Sequence, residues 1–177
     1  MAEKVVLVDE NDNILGEEEK LKAHELGRLH RAISVFIFNT NGEFLIQQRA
    51  DCKYHSAGLW ANTCCSHPRM NEEIVLAAKR RLKEEMGIEG VELKELFTFI
   101  YKAELDHSLT ENELDHVFVG FSDVVPVINK EEVKSYNYVS YNFLKNDIKE
   151  HSEIYAEWFK ILINNYGDIF NGLFSKL

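Results

Sequence analysis

Three short stretches carry side chains that can hold a metal ion or move a proton. They are His24 with His30, Cys65 with His67 inside Asn62-Thr63-Cys64-Cys65-Ser66-His67-Pro68, and Glu111 with Glu113 inside Glu111-Asn112-Glu113-Leu114-Asp115. Residues two apart on a strand project from one face, so Cys65 pairs with His67 and Glu111 with Glu113. His24 and His30 are six apart, about 240° around a continuous helix. Gly27 between them makes a loop that turns both inward the better reading. Three imidazoles and two carboxylates suit manganese, zinc or iron better than magnesium alone. Taken singly, each histidine is better explained by packing, and Cys65 with His67 also fits a nucleophile and its base. Adjacent Cys64 and Cys65 face opposite sides of a strand and do not bridge, and three cysteines make a poor disulfide framework.

These residues must be positioned by a chain of 177 residues, long enough for one domain spanning 1–177 with a real core. Net charge is −10, which argues against a nucleic-acid partner; a small anionic substrate would need cations or a metal gathered at the site. No apolar run approaches the ~20 residues of a membrane helix, and the N-terminus does not read as a signal peptide. With the odd cysteine count, a cytoplasmic protein without a membrane partner is expected. The oligomeric state is left as monomer or homodimer.

Strand patterns run over Val5–Asp9, Ile33–Phe38, Phe44–Gln48, Leu93–Ala103, Val117–Val125 and Tyr136–Val139, with a turn at Asn39-Thr40-Asn41-Gly42. Asn71 is the expected cap of a helix with Glu72 and Glu73 in its first turn, a stripe of Val75, Ala78, Leu82 and Met86, and a stop at Gly87. Helical spacing returns after His151 through Ile154, Trp158, Ile161 and Leu162. The order of elements predicts an α/β (α+β) sandwich with a mixed sheet.

The central helix ends in RRLKEEMGI, residues 80–88, and looks like the helix of a Nudix box, whose glutamates hold magnesium against a diphosphate. Glu72 falls at the box's first glutamate. Ser66 stands where the box has glycine, and Arg81 where it has a catalytic glutamate, so the usual hydrolysis should be lost. Helix spacing alone is equally consistent with an ordinary surface pair of Arg81 and Glu85.

With LHRAISVFIFN (29–39), LIQQRADCK (45–53), NTCCSHP, Tyr101-Lys102-Ala103, ENELD (111–115), VKSYNYVS (133–140) and EWFKI (157–161), the chain resembles the type I isopentenyl-diphosphate isomerases, a Nudix-fold branch that does not hydrolyse its substrate. The resemblance implies a Nudix-like α/β/α sandwich and isomerisation of isopentenyl diphosphate to dimethylallyl diphosphate in isoprenoid synthesis. It further implies a transition metal (Mn2+ or Zn2+) on His24, His30, His67, Glu111 and Glu113, and Mg2+ on Glu85 at the diphosphate. Cys65 and Glu113 become the acid/base pair, with the direction of transfer left open. Lys20, Arg49, Lys53 and Arg81 become diphosphate-facing cations, and Tyr101 and Trp158 the aromatic faces that stabilise a carbocation without trapping it. Trp158 alone, in the stripe of its helix, would read as core.

The remaining residues read as structural: Cys64 as packing, His55, His107 and His151 among polar neighbours, His116 out of phase with the glutamates, and Glu17–Glu19 as a solvated run. Asp115 shares the glutamates' face and reads as a reserve ligand or as a partner that supports one. Ile169, Phe170, Leu173 and Phe174 fit either core or an interface. Three rival functions remain: a Nudix pyrophosphatase using Glu72, Glu84 and Glu85, a cysteine hydrolase, and a non-catalytic metal-binding module.

Overall fold

A computed structural model describes residues 3–53, 55–105 and 108–173. His107 and Phe174 lie outside the described residues. The strands are β1 (Lys4–Val8), β2 (Ile14–Glu19), β3 (His30–Phe38), β4 (Phe44–Arg49), β5 (Trp60–Ala61), β6 (Cys64–Ser66), β7 (Lys94–Glu104), β8 (Thr110–Phe121) and β9 (Val133–Val139). The helices are α1 (Lys20–Glu25), α2 (Ile74–Met86), α3 (Tyr141–Glu150) and α4 (Glu157–Gly172).

The strands form one mixed sheet with β3 at its centre. β8 runs parallel to β3 along its whole length, whereas β1, β4 and β6 pair with it antiparallel. Residue alternation along β3 separates two cores. Ile33, Val35 and Ile37 pack with Cys64, Phe118 and the α2 residues Ala77, Ala78, Leu82 and Met86. Phe36 and Phe38 pack on the other face with Val117, Val119, Leu144 of α3, and Trp158, Phe159, Leu162 and Phe170 of α4. Helices therefore cover both faces, an α/β/α sandwich.

One gap in the sheet makes room for a site. β3 and β4 pair only at Ile37–Leu45 and Phe38–Phe44, and β6 lies beside β3 below that point. Thr63 replaces the missing ladder bonds: its Oγ1 accepts from Ile37 N at 2.8 Å and donates to Leu45 O at 2.6 Å. Asn62 donates to Val35 O and Cys64 O, and its Oδ1 accepts from the Trp158 indole at 3.1 Å. Buried backbone groups that lose a strand partner need such substitutes.

Several elements differ from the sequence expectation. Asn71 does not cap α2: it adopts φ 62° in the preceding turn, and the helix starts at Ile74 with Glu73 at its cap. Glu72 and Glu73 thus precede the first turn. Val75 is only half buried, while Ala77 completes the stripe. β8 begins seven residues earlier than expected and carries Glu111 and Glu113 as strand residues. Glu17–Glu19 belong to β2, where strand pairing with β1 outweighs like-charge repulsion and Lys4 and Lys22 offset part of it. α3 is a further helix not expected from the sequence, capped by Ser140 and buried through a stripe of Tyr141, Leu144 and Ile148. Ile154 precedes α4 and is exposed; in the closing segment Phe170 is core, stacked on Phe36 at 4.3 Å, and Ile169 is exposed.

Gly87 ends α2 at φ 66°, and the chain leading to β9 crosses directly over it, with Val127 N donating to Met86 O at 2.8 Å. A Cβ at Gly87 would lie 2.6 Å from Val127 O. Gly87→Ala combines left-handed strain with this clash and should destabilise the fold by at least ~1 kcal/mol. Denaturant unfolding measures it; an unchanged midpoint would mean the crossing segment is not held against the helix.

Candidate metal and diphosphate site

The parallel register of β3 and β8 sets His30 beside Glu113, and the antiparallel register of β8 and β7 sets Tyr101 opposite Glu113. Paired residues share a face, so His30, Glu113 and Tyr101 form a row across three strands. β6 places Cys65 beside Ser34 and Cys64 beside Val35. Ser34 is in phase with His30, so Cys65 faces the site while Cys64 is buried under α2, as the alternation predicted. Gly27, at φ 59°, turns the chain between α1 and β3 and brings His24 Nε2 to 3.2 Å from His30 Nε2.

His24, His30, His67 and Glu113 converge, with one donor atom from each within 4.8 Å of the others. His67 Nε2 lies 3.0 Å and His30 Nε2 3.4 Å from Glu113 Oε1. The Arg28 carbonyl accepts from His30 Nδ1 at 2.8 Å, which fixes the ring with Nε2 aimed into the cluster. Burial and the neighbouring His30 push the His24 imidazole down to about 3. His67, lowered chiefly by burial, sits at about 4, and its Nδ1 is buried without a partner. Converging imidazoles and a carboxylate are the donor set of a divalent metal site. Glu111 stands outside this foursome: the Tyr101 hydroxyl donates to Glu113 Oε2 at 2.6 Å and lies 3.0 Å from Glu111 Oε2.

The two carboxylates are driven apart. Burial and the Glu113 charge push the Glu111 carboxyl well up. Burial also works to raise Glu113, but hydrogen bonds with His30 and His67 hold it well below the usual range. Burial, Glu85 and the two glutamates push the Cys65 thiol up to about 12 against the pull of Arg49, so it keeps its proton at neutral pH. Asp115 is raised to about 8 by burial and Glu113, and accepts from the Ser34 hydroxyl at 2.7 Å; it lies outside the four-donor group.

A cavity of about 1050 Å³ joins this cluster to the cations. Lys20, Arg49, Lys53 and Arg81 all line it, as do Cys65, His67, Tyr101, Glu85, Glu111, Glu113 and Trp158. Lys20 pairs with Glu3 at 3.1 Å, and the Arg49 guanidinium lies 5.2 Å from the Trp158 ring centre. Trp158 is at once core and cavity wall.

One expected structural residue belongs here instead. His55 is buried in the cavity wall, with Nε2 3.9 Å from Glu111 Oε1 and its ring 5.7 Å from that of His24. Its polar sequence neighbours gave no sign of this, because the loop after β4 folds it inward; Arg49 secures that loop by donating to the carbonyls of His55 and Ser56. Glu132 is a second cavity residue that carried no sequence signal. His116 pairs with Glu95, and His151 with Asp147, both away from the cavity.

The NUDIX domain family matches residues 28–159. Isopentenyl-diphosphate Delta-isomerase 1 of Aromatoleum aromaticum is 51% identical over 164 residues, covering 93% of this chain and 92% of that protein. The isopentenyl-diphosphate Delta-isomerase of Pectobacterium atrosepticum is 47% identical over 173 residues, covering 98% and 96%. The chain belongs to the type I isopentenyl-diphosphate isomerases of the Nudix superfamily. Solved structures agree on the fold. A Deinococcus radiodurans crystal structure superposes with TM-score 0.76 at 18% identity, covering 93% of this chain and 99% of that one. A MutT protein from Methanosarcina mazei gives 0.62 at 18%, covering 79% and 94%.

Within that superfamily the box helix of this isomerase relative is altered in use as well as in sequence. Glu72 receives Arg80 at 2.7 and 2.9 Å and the Arg69 amide at 2.8 Å, and it is absent from the cavity wall. Glu84 is taken by Arg80 and Arg81. Only Glu85 reaches the cavity, with Gln47 donating to Oε2 at 2.8 Å and Arg81 to Oε1 at 2.6 Å. The Arg81–Glu85 pair is therefore real, but it sits in the cavity wall. Glu72→Gln should leave Mg2+ binding unchanged in calorimetry and cost no more than ~1 kcal/mol of stability, the scale of a partly exposed ion pair. Glu85→Gln should weaken that binding. Equal losses in both variants would restore a hydrolase-type glutamate set.

Proposed function

We propose that the chain isomerises isopentenyl diphosphate to dimethylallyl diphosphate, with Cys65 and Glu113 as the proton-transferring pair. The observation that carries this is the placement of the Cys65 thiol and the Glu113 carboxylate on strands flanking β3 from opposite sides, facing one cavity. The reaction adds a proton at the terminal methylene carbon, creates a tertiary cation at its neighbour, and removes a proton two carbons from the first. The double bond moves and nothing else is exchanged. Such chemistry needs a donor and an acceptor across the substrate, little water, and no nucleophile near the cation.

The residues suit these needs. Cys65 begins protonated and Glu113 ionised, so the starting charges favour donation from the thiol side and acceptance on the carboxylate side. Tyr101 donates to Glu113 and fixes its orientation. Trp158, anchored through Asn62, offers its indole face to positive charge. Lys20, Arg49, Lys53 and Arg81 hold the diphosphate, and Arg81 binds phosphate where a glutamate would assist its cleavage. We assign His24, His30, His67, Glu111 and Glu113 to Mn2+ or Zn2+, and Glu85 to Mg2+ beside the diphosphate. When bound, these ions fix the carboxylates and offset the negative charge gathered there.

Incubation with isopentenyl diphosphate and Mg2+ should yield dimethylallyl diphosphate without phosphate release; phosphate without isomer would establish hydrolysis instead. Cys65→Ser exchanges the thiol for a far weaker acid and should lower kcat by ~10²–10⁴-fold or more, the usual share of acid–base catalysis. Cys64→Ser, on the buried α2 side, should cost stability alone. A dead Cys64→Ser beside an active Cys65→Ser would reverse the assignment. His67→Ala should lose the transition metal by elemental analysis while retaining its circular-dichroism spectrum, and undiminished metal would remove His67 from the ligand set.

A further inference from the structure

Glu132 lies between β8 and β9, in a segment fastened to two parts of the cavity wall. Asn129 N donates to Glu85 O of α2 at 2.9 Å, and the amides of Glu132 and Val133 both donate to Asn129 O. Ala50 N, just after β4, donates to Glu132 O at 3.0 Å. The backbone of Glu132 is thus tied to the segments that carry Arg49 and Lys53 on one side and Arg81 on the other. Its Oε2 receives both Lys53 Nζ and Arg81 Nη2, the latter at 3.3 Å. Burial works against its charge, yet Lys53 and Arg81 keep its carboxyl below the usual range.

We infer that Glu132 is a positioning residue for the diphosphate, a carboxylate clamp that gathers Lys53 from the loop after β4 and Arg81 from α2 into one cationic fork. The inference rests on the isomerase reading for its substrate. Lysine and arginine side chains are rich in rotamers, and two cations brought together repel each other. One carboxylate between them removes that repulsion and the rotamer freedom before substrate arrives, and the trio retains a net positive charge. The opposite expectation is equally definite: a carboxylate that merely sits near an anion site repels the anion, and its removal tightens binding.

Calorimetric titration with inorganic pyrophosphate and Mg2+ separates the two. Glu132→Gln should weaken pyrophosphate binding by about tenfold or more, the scale of a charge-assisted hydrogen bond. KM for isopentenyl diphosphate should rise by a similar factor while kcat stays within about twofold, the signature of lost binding that is uniform between ground and transition state. Glu132→Asp should recover most of the affinity, and an unfolding midpoint equal to wild type in Glu132→Gln excludes a structural cause. In a Lys53→Met background the same glutamine substitution should cost markedly less, because the two residues act as a unit. Unchanged or tighter pyrophosphate binding by Glu132→Gln, or full additivity with Lys53→Met, would overturn the clamp. The predicted pyrophosphate pattern in a protein that does not isomerise the substrate would leave the clamp standing and remove the isomerase reading.

Discussion

The site depends on keeping one buried carboxylate ionised. Taking a lone carboxylate out of water costs several kcal/mol or more, so Glu113 must be met by donors on every side. His67 and Tyr101 supply hydrogen bonds, and His30 closes from the adjacent strand. Each partner comes from a different element, and the register of β7, β8 and β3 is what aligns two of them. A one-residue slip between β8 and β3 would send Glu111, Glu113 and Asp115 to the α2 face. The same charge pushes Glu111 the other way, so the proton affinities of two neighbouring carboxylates are driven apart.

Around this point the sheet opens instead of closing. β3 and β4 part below Ile37, and the stretch Asn62 to His67 occupies the opening. Its residues divide their work by physical type. Thr63 and Asn62 satisfy the backbone groups left by the opening, Cys64 packs under α2, and Cys65 and His67 face the cavity. Asn62 also holds the Trp158 indole, so the same stretch couples the opening to α4. A short motif dense in chemistry is thus also the repair of a discontinuous sheet.

Charge is handled locally in a chain whose net charge is −10. Three of the four diphosphate-facing cations are held by carboxylates: Lys20 by Glu3, Lys53 by Glu132, and Arg81 by Glu84, Glu85 and Glu132. Excess acidity elsewhere repels an anionic substrate at long range, and a site of paired cations offers it hydrogen-bond geometry more than raw charge. Arg81 shows the consequence in the altered Nudix helix, where a guanidinium stands beside the retained Glu85.

Local spacing determined much of this protein. Two-residue alternation placed Cys65 with His67 and set Cys64 apart, Gly87 marked the end of α2, and the strand patterns led to a mixed sheet under helices. These features are legible because strand and helix periods act over a few residues. Helix starts and polar strands were less so: Asn71 fitted a cap but adopts a turn, and β2 is stabilised by a partner its own sequence does not name. Only the tertiary structure brought His55 and Glu132 to the cavity, since each lies on a loop whose course is set by contacts with distant segments. Only it assigned Glu72 to Arg80 and Glu85 to the cavity, because helix spacing fixes which residues share a face and leaves open what that face meets. The opposed shifts of Glu111 and Glu113 were likewise decided in three dimensions, where burial and the imidazoles converge on one carboxylate and leave the other to its neighbour's charge.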